Sequence, residues 1–190
     1  MFIPILAILS LVVALLRGGR LTRLAHVTFR HAYLVLLSLG LQVIIFSPLA
    51  AMLGVQPWTR PLYVASMVIL AGWFALNFRL PGMLLIGLGL LLNLAAIASN
   101  GGYMPASPSA LERAGMTSRL TNLEEAVHNN SVIAAEDTHL YYLSDIFAIP
   151  KEIPLANVFS VGDVLIALGA IYFLQRTLTD ERLDRSVTVS

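Results

Sequence analysis

The 190-residue chain has no cysteine. That excludes a disulfide framework, thiolate metal sites, a cysteine nucleophile and a lipid-bearing cysteine anchor together. Charge is also scarce. Asp, Glu, Lys and Arg make up 12% of the residues, against roughly 25% in an ordinary soluble domain. The basic residues are dispersed and the formal net charge is +1, so the clustered, aromatic-interleaved basic patch of a nucleic-acid binder is missing. No basic residue precedes the first apolar run, and "RGGR" follows it where a signal peptide would carry small residues for cleavage. That run is read as a retained helix. Gly-x-Ser-x-Gly, the phosphate-binding P-loop, His-Glu-x-x-His and the dinucleotide fingerprint are all absent, and no internal repeat is evident.

What the chain has is apolar sequence, 57% of it, bunched in long runs. Five segments, at about 2–16, 32–53, 62–78, 82–99 and 157–174, approach the roughly 17–25 residues that cross a bilayer. The expected fold is all-α: an integral membrane bundle of five transmembrane helices, with a partly helical extracytoplasmic loop at 100–156 and a tail at 176–190. Pro61 and Pro81 sit at helix starts, where a missing amide hydrogen does no harm.

Arginine placement sets the orientation. Arg17, Arg20, Arg23, Arg30, Arg79, Arg176, Arg182 and Arg185 fall on one side, against Arg60, Arg113, Arg119 and Lys151 on the other. The positive-inside rule then puts the N-terminus of this multi-pass chain outside and its C-terminus in the cytoplasm. Trp58 and Tyr63 fit an outer aromatic belt, with Trp73 deeper. In the outer loop, "SALERAGM" and "SRLTNLEEAVHNN" predict short surface helices, with Leu120, Leu123 and Val127 on one face.

Asp163 lies inside the last apolar run, where a carboxylate costs roughly 2.5–3.5 kcal/mol. Counting about 1.5 Å per residue from the cytoplasmic ends puts Gln42 and Asn93 about 16 Å up, and Ser66 and Asp163 about 19 Å up. Four helices thus offer a polar side chain at one depth. Asn157, Ser160, Asp163, Ala167 and Ala170 form a small and polar stripe on the fifth helix, and Gly89, Asn93, Ala96 and Asn100 form one on the fourth. Ser38 and Gln42 are one turn apart on the second. Inward-facing stripes would let Asp163 accept hydrogen bonds from Asn93 and Gln42, or stay protonated. The layer reads either as interhelical glue or as a solute, ion or proton site.

Outside the layer, Asn100, Gly101 and Gly102 read as a helix stop, with Pro105 fixing the exit direction; an anion-binding nest is the weaker reading. Glu125 with His128, and Glu136 with His139, are Glu-x-x-His pairs that on facing helices hold metals. Here they are too close and lack further carboxylates, so no metal and no cofactor is expected.

The blocks "NGGYMP", "HLYYLSDIFAIP" and "FSVGDVLIALG" resemble the signature blocks of a bacterial membrane-protein family catalogued only as a domain of unknown function. That family's Asn-Gly-Gly-x-Met-Pro, Leu-Gly-Asp and Ser-Ile-Gly-Asp motifs fall on Asn100 to Pro105 (Met104 included), on Leu143 to Asp145 and on Ser160 to Asp163. This chain departs at Ser144 and Val161. The resemblance implies the topology and candidate positions, His139 and Asp145 among them, and no activity.

The expected function is a non-catalytic accessory or assembly subunit of a larger membrane complex, since Gly82, Gly87 and Gly89 suit helix–helix contact. The alternative is a small transporter or solute-binding protein using the polar layer. An enzyme acting on lipid head groups through Asp145 and His139 comes third. The expected partners are membrane lipid and other membrane-protein subunits, with no nucleic acid.

Overall fold

The computed structural model describes residues 2–118, 127–128 and 130–181. It is mostly helical. The long elements are α1 (Phe2–Leu16), α2 (Tyr33–Ile45), α4 (Thr59–Leu76), α5 (Met83–Ser99) and α7 (Val161–Thr179), with short α3 (Leu49–Met52) and α6 (Pro108–Arg113). Helices α4 and α7 are long and apolar enough to cross a membrane; α1, α2 and α5 are shorter apolar helices. The helices pack as a row in the neighbour order α1–α7–α5–α4–α2.

The α5–α7 contact is built on glycine. A Cβ added at Gly82 or Gly89 would strike the backbone of Gly169 or Gly162. One added at Gly169 would come within 2.6 Å of Ile86 Cγ1. The glycines sit seven residues apart on each helix, about two turns, so the antiparallel pair meets twice along one seam. Gly87 packs on the Phe74 side chain of α4. All three glycines expected to suit helix–helix contact make it within the chain.

Several boundaries move. The segment expected at 32–53 breaks after Ile45, because Pro48 donates no amide and disfavours helix at Ser47. Ser47 Oγ accepts from Leu49 N at 3.3 Å, restarting the chain as α3. The last helix begins at Val161 rather than 157 and runs on to Thr179; residues 182–190 of the expected tail lie outside the described residues. Asn157 therefore leaves the proposed helical stripe. It pairs in strand β5 (Asn157–Phe159) antiparallel to β4 (Phe147–Ile149), with the Phe147 and Phe159 rings stacked. Tyr63 and Trp73 are 8% and 7% exposed, so both are core residues, whereas Trp58 is exposed.

The segment at 100–156 is not simply helical. α6 covers the first part of "SALERAGM", starting one residue earlier at Pro108, but strands β1 (Met104–Ala106), β2 (Val127–His128) and β3 (Ser131–Ile133) make a small mixed sheet in the order β1-β3-β2. Val127 is thus on a strand instead of a helical face; Leu120 and Leu123 lie outside the described residues. Met104 joins the main core of Ile45, Tyr63, Met67, Leu90, Ala96 and Ile97, which anchors this cap to the helices. A satellite core of Ala106, Ala110, Leu111, Ala114 and Val158 holds the cap together.

Candidate functional site

The segment Ser160-Val161-Gly162-Asp163 opens α7, and each of its polar or small residues has a physical task. Ser160 is the N-cap: its Oγ accepts from Asp163 N at 3.0 Å, while Asp163 Oδ2 accepts from Ser160 N at 3.1 Å. This reciprocal capping box satisfies two of the amides that a helix start leaves unpaired. Gly162 makes room for the Asn93 side chain of α5, whose Oδ1 a Cβ at that position would strike. Asn93 then donates from Nδ2 to Asp163 Oδ1 at 2.9 Å and accepts from Ser160 Oγ at 2.8 Å.

This answers what offsets the cost of Asp163. Because α7 starts at Val161, Asp163 lies in the first turn, not midway along the span. There the positive end of the helix dipole favours a carboxylate. Two protein donors use two of the roughly four acceptor positions of its oxygens.

The other half of the expected layer forms its own pair. Gln42 Nε2 donates to Ser66 Oγ at 3.1 Å, Ser66 Oγ donates to Tyr63 O at 2.7 Å, and Ser38 Oγ donates to Ser66 O at 2.8 Å. The depth coincidence holds between neighbours, α2 with α4 and α5 with α7. Gln42 bonds Ser66 rather than Asp163.

Gln42 of one pair and Asn93 and Asp163 of the other border one cavity of about 290 Å³, which residues of the cap also line. Gln42, Asn93 and Asp163 line it from below, Tyr63 from the side, and Asp145 and Asn130 from the cap. Asp145 and Asp163 are among the residues that line it. The volume sits at the lower end of the roughly 300–1,000 Å³ of small-molecule sites, with amides and carboxylates converging on an otherwise apolar wall.

The outer motif builds the roof. Asn100 donates from Nδ2 to His139 O at 2.8 Å and accepts from His139 N at 3.0 Å, clamping the chain 39 residues on as a strand partner would. Gly101 and Gly102 have φ of +67° and +89°, and Gly102 N donates to Ile97 O at 2.9 Å, closing α5. Met104 lines the cavity, and Pro105 is fully buried with its carbonyl accepting from Asp145 N at 2.9 Å. Ala106 and Asp145 form a parallel bridge, so the Asn-Gly-Gly and Leu-Ser-Asp blocks are adjacent backbones.

His139 enters this arrangement through its backbone only among the described contacts. It and Glu136 lie in turns and not on a helix, so the Glu-x-x-His geometry considered for a metal is not formed there. Glu125 lies outside the described residues. Sequence reasoning missed Tyr63 and Asn130, which bond each other at 2.8 Å (Asn130 Nδ2 to Tyr63 Oη). Tyr63 reads as a belt aromatic and Asn130 as the end of a surface helix; only the pairing of β3 with β1, invisible in local pattern, brings them together. Also missed is the polar ladder at the far end, where Gln175 Nε2 donates to Ser10 O at 2.6 Å and Arg17 Nη1 donates to Gln175 Oε1 at 2.9 Å.

The model of the family of unknown function DUF5317 matches residues 26–175. An uncharacterised protein of Thermotoga maritima is 31% identical over 123 residues, covering 64% of this chain and 67% of that protein. No solved structure matches.

Proposed function

Since the chain belongs to the family of unknown function DUF5317, which brings no activity with it, we propose on its own geometry that it is a five-span membrane protein binding a small solute with a cationic group. The observation that carries this reading is the cavity lined by Asp163, whose carboxylate is held by Asn93 and by the first turn of α7. A cation entering there exchanges water for carboxylate oxygens in a partly dry site, where charge attraction is stronger than in bulk solvent.

The membrane setting is supported by exposure. Only 22% and 28% of the apolar windows of α4 and α7 is buried, too little for core helices of a water-soluble domain. The shorter helices carry the same character: Ile8, Leu9, Val12, Leu36, Val43, Leu84 and Leu91 are all exposed. A continuous apolar surface of that extent calls for lipid or protein cover. Under this reading α1, α2 and α5 complete the five spans, and the cavity opens toward the outer face of a bacterial inner membrane.

The alternative is an accessory subunit of a larger complex, favoured by the lack of recognisable reaction chemistry and by Gly82, Gly87 and Gly89 suiting helix–helix contact. With those glycines filled by α7 and Phe74, the cavity is the stronger guide.

The test is ligand-induced stabilisation of the detergent-purified protein by alkylammonium ions, from methyl- to butylammonium. A saturable rise in melting temperature that vanishes in Asp163→Asn is expected. Equal shifts in both proteins, or none in either, would reject the reading.

A further inference from the structure

We infer that a groove between α4 and α5 holds a membrane phospholipid, with the lipid phosphate on Arg60 and an acyl chain running below it. This rests on the membrane setting proposed above and not on the solute. The groove, of about 450 Å³, is bordered by Arg60, Val64 and Ala65 of α4, by Ala98 of α5, and by Gly101 and Gly102 of the turn that closes α5. It lies on other faces of these two helices than the Asp163 cavity, which Tyr63 and Met67 of α4 and Asn93 and Ile97 of α5 line.

Polarity changes along the groove in one direction. Arg60 stands at one end, and Val64 follows one turn, about 6 Å, further along α4. Val68, another turn on, continues that face and is 53% exposed. On α5, Leu91 shares the face of Ala98 two turns away and is 49% exposed. The small side chains at Ala65 and Ala98 form the recess between these two rows. A free anion would use the arginine and leave the apolar floor bare, and a neutral chain would do the reverse. An amphiphile with an anionic head uses both.

The chain's own outer motif aims Arg60. Gly102 has φ +89°, and a Cβ there would come within 2.9 Å of Arg60 Cβ, so this glycine lets the arginine pass. The next residue, Tyr103, puts its ring under the guanidinium, 4.6 Å from centroid to Cζ. Stacking occupies the flat face of the fork and leaves its edge donors usable. A phosphate accepts two of those in parallel. Trp58, the N-cap of α4, is 63% exposed, and exposed aromatics of this kind settle at the level of lipid head groups. In a membrane, Arg60 two residues on is therefore at the depth of the phosphates.

The experiment is native mass spectrometry of the detergent-purified protein, titrated with phosphatidylglycerol, with diacylglycerol of the same chains, and with inorganic phosphate. Phosphatidylglycerol should bind about tenfold tighter than either of the others. Arg60→Gln should bring it down to the level of diacylglycerol; Arg60 is exposed, so the fold is not at stake. Ala98→Leu, which fills the groove from an exposed position, should weaken both lipids. Asp163→Asn should leave both unchanged, so loss of the cation site would not touch the lipid result. If the two lipids bind alike, or Arg60→Gln leaves the preference intact, the lipid site is wrong while the cation site stands. Inorganic phosphate binding as tightly as phosphatidylglycerol would also overturn it, by making Arg60 a site for free anions. A chain that stays monomeric in water without detergent would remove the membrane setting and the lipid site with it.

Discussion

Ser144 and Ser160 are both fully buried, yet they use their hydroxyls differently. Ser160 Oγ accepts from Asp163 N and donates to Asn93 Oδ1, so it joins the helix cap to the neighbouring helix. Ser144 Oγ has no hydrogen-bond partner among the described residues. Removing a used cap costs about 0.5–2 kcal/mol, whereas removing an unpaired buried hydroxyl relieves a desolvation penalty of about 1–3 kcal/mol. Ser160→Ala should therefore lower the melting temperature in detergent, and Ser144→Ala should leave it unchanged or raise it. A larger loss for Ser144→Ala than for Ser160→Ala would mean that the cap is not what holds the start of α7. Part of this was legible in the sequence. The Ser-x-x-Asp spacing at 160–163 is a capping-box pattern, but an apolar flank on both sides reads as one continuous span and hides the helix start. Ser144 stands where the resemblance implies glycine, and nothing in a sequence shows whether a hydroxyl finds a partner.

At the scale of elements, the same limit reappears. The five long helices were legible from apolar runs alone, and the closeness of Asn93 to Asp163 followed from counting rise per residue. The cap was not, because a three-residue strand such as β1 or β3 carries no periodicity and is fixed only by its partner. The glycines of α5 were visible, but not which surface they met. The structure matches Gly82 with Gly169 and Gly89 with Gly162, and this sets both how closely α5 and α7 approach and whether Asn93 reaches the start of α7. Gly89→Ala should then act in two ways. The added methyl pushes on the backbone at Gly162, costing about 1–3 kcal/mol as overpacking does. The same displacement draws Asn93 away from Asp163, so alkylammonium affinity should fall along with the melting temperature. Gly72, which has open space around its Cβ direction, is the control: Gly72→Ala should change neither. Equal behaviour of the two variants would show that the seam does not set the helix spacing.

At the scale of the whole molecule, the two ends differ in what they hold. The cap, the cavity, the groove and the three signature blocks are at one end, with Arg60, Arg113 and Lys151 as the described basic residues there. The other end carries Arg17, Arg20, Arg23, Arg30, Arg79 and Arg176. Some of these also have structural work: Arg23 is buried and donates from Nη1 to Leu178 O at 2.7 Å, and Arg17 reaches Gln175. Under the proposed membrane reading such contacts would form after insertion, so the same arginines would still hold their loops in the cytoplasm. That reading would turn the cap outward, the side from which a solute would be captured. Because the chain has no native cysteine, single cysteines report this cleanly. Glu152→Cys, exposed on the cap, should react with a membrane-impermeant maleimide on intact spheroplasts. Leu21→Cys, 53% exposed at the arginine-rich end, should react only after the membrane is opened. The reverse pattern would turn the molecule over and put the cavity on the cytoplasmic side, and labelling of both sites on intact cells would mean that the helices between them do not form an odd number of spans.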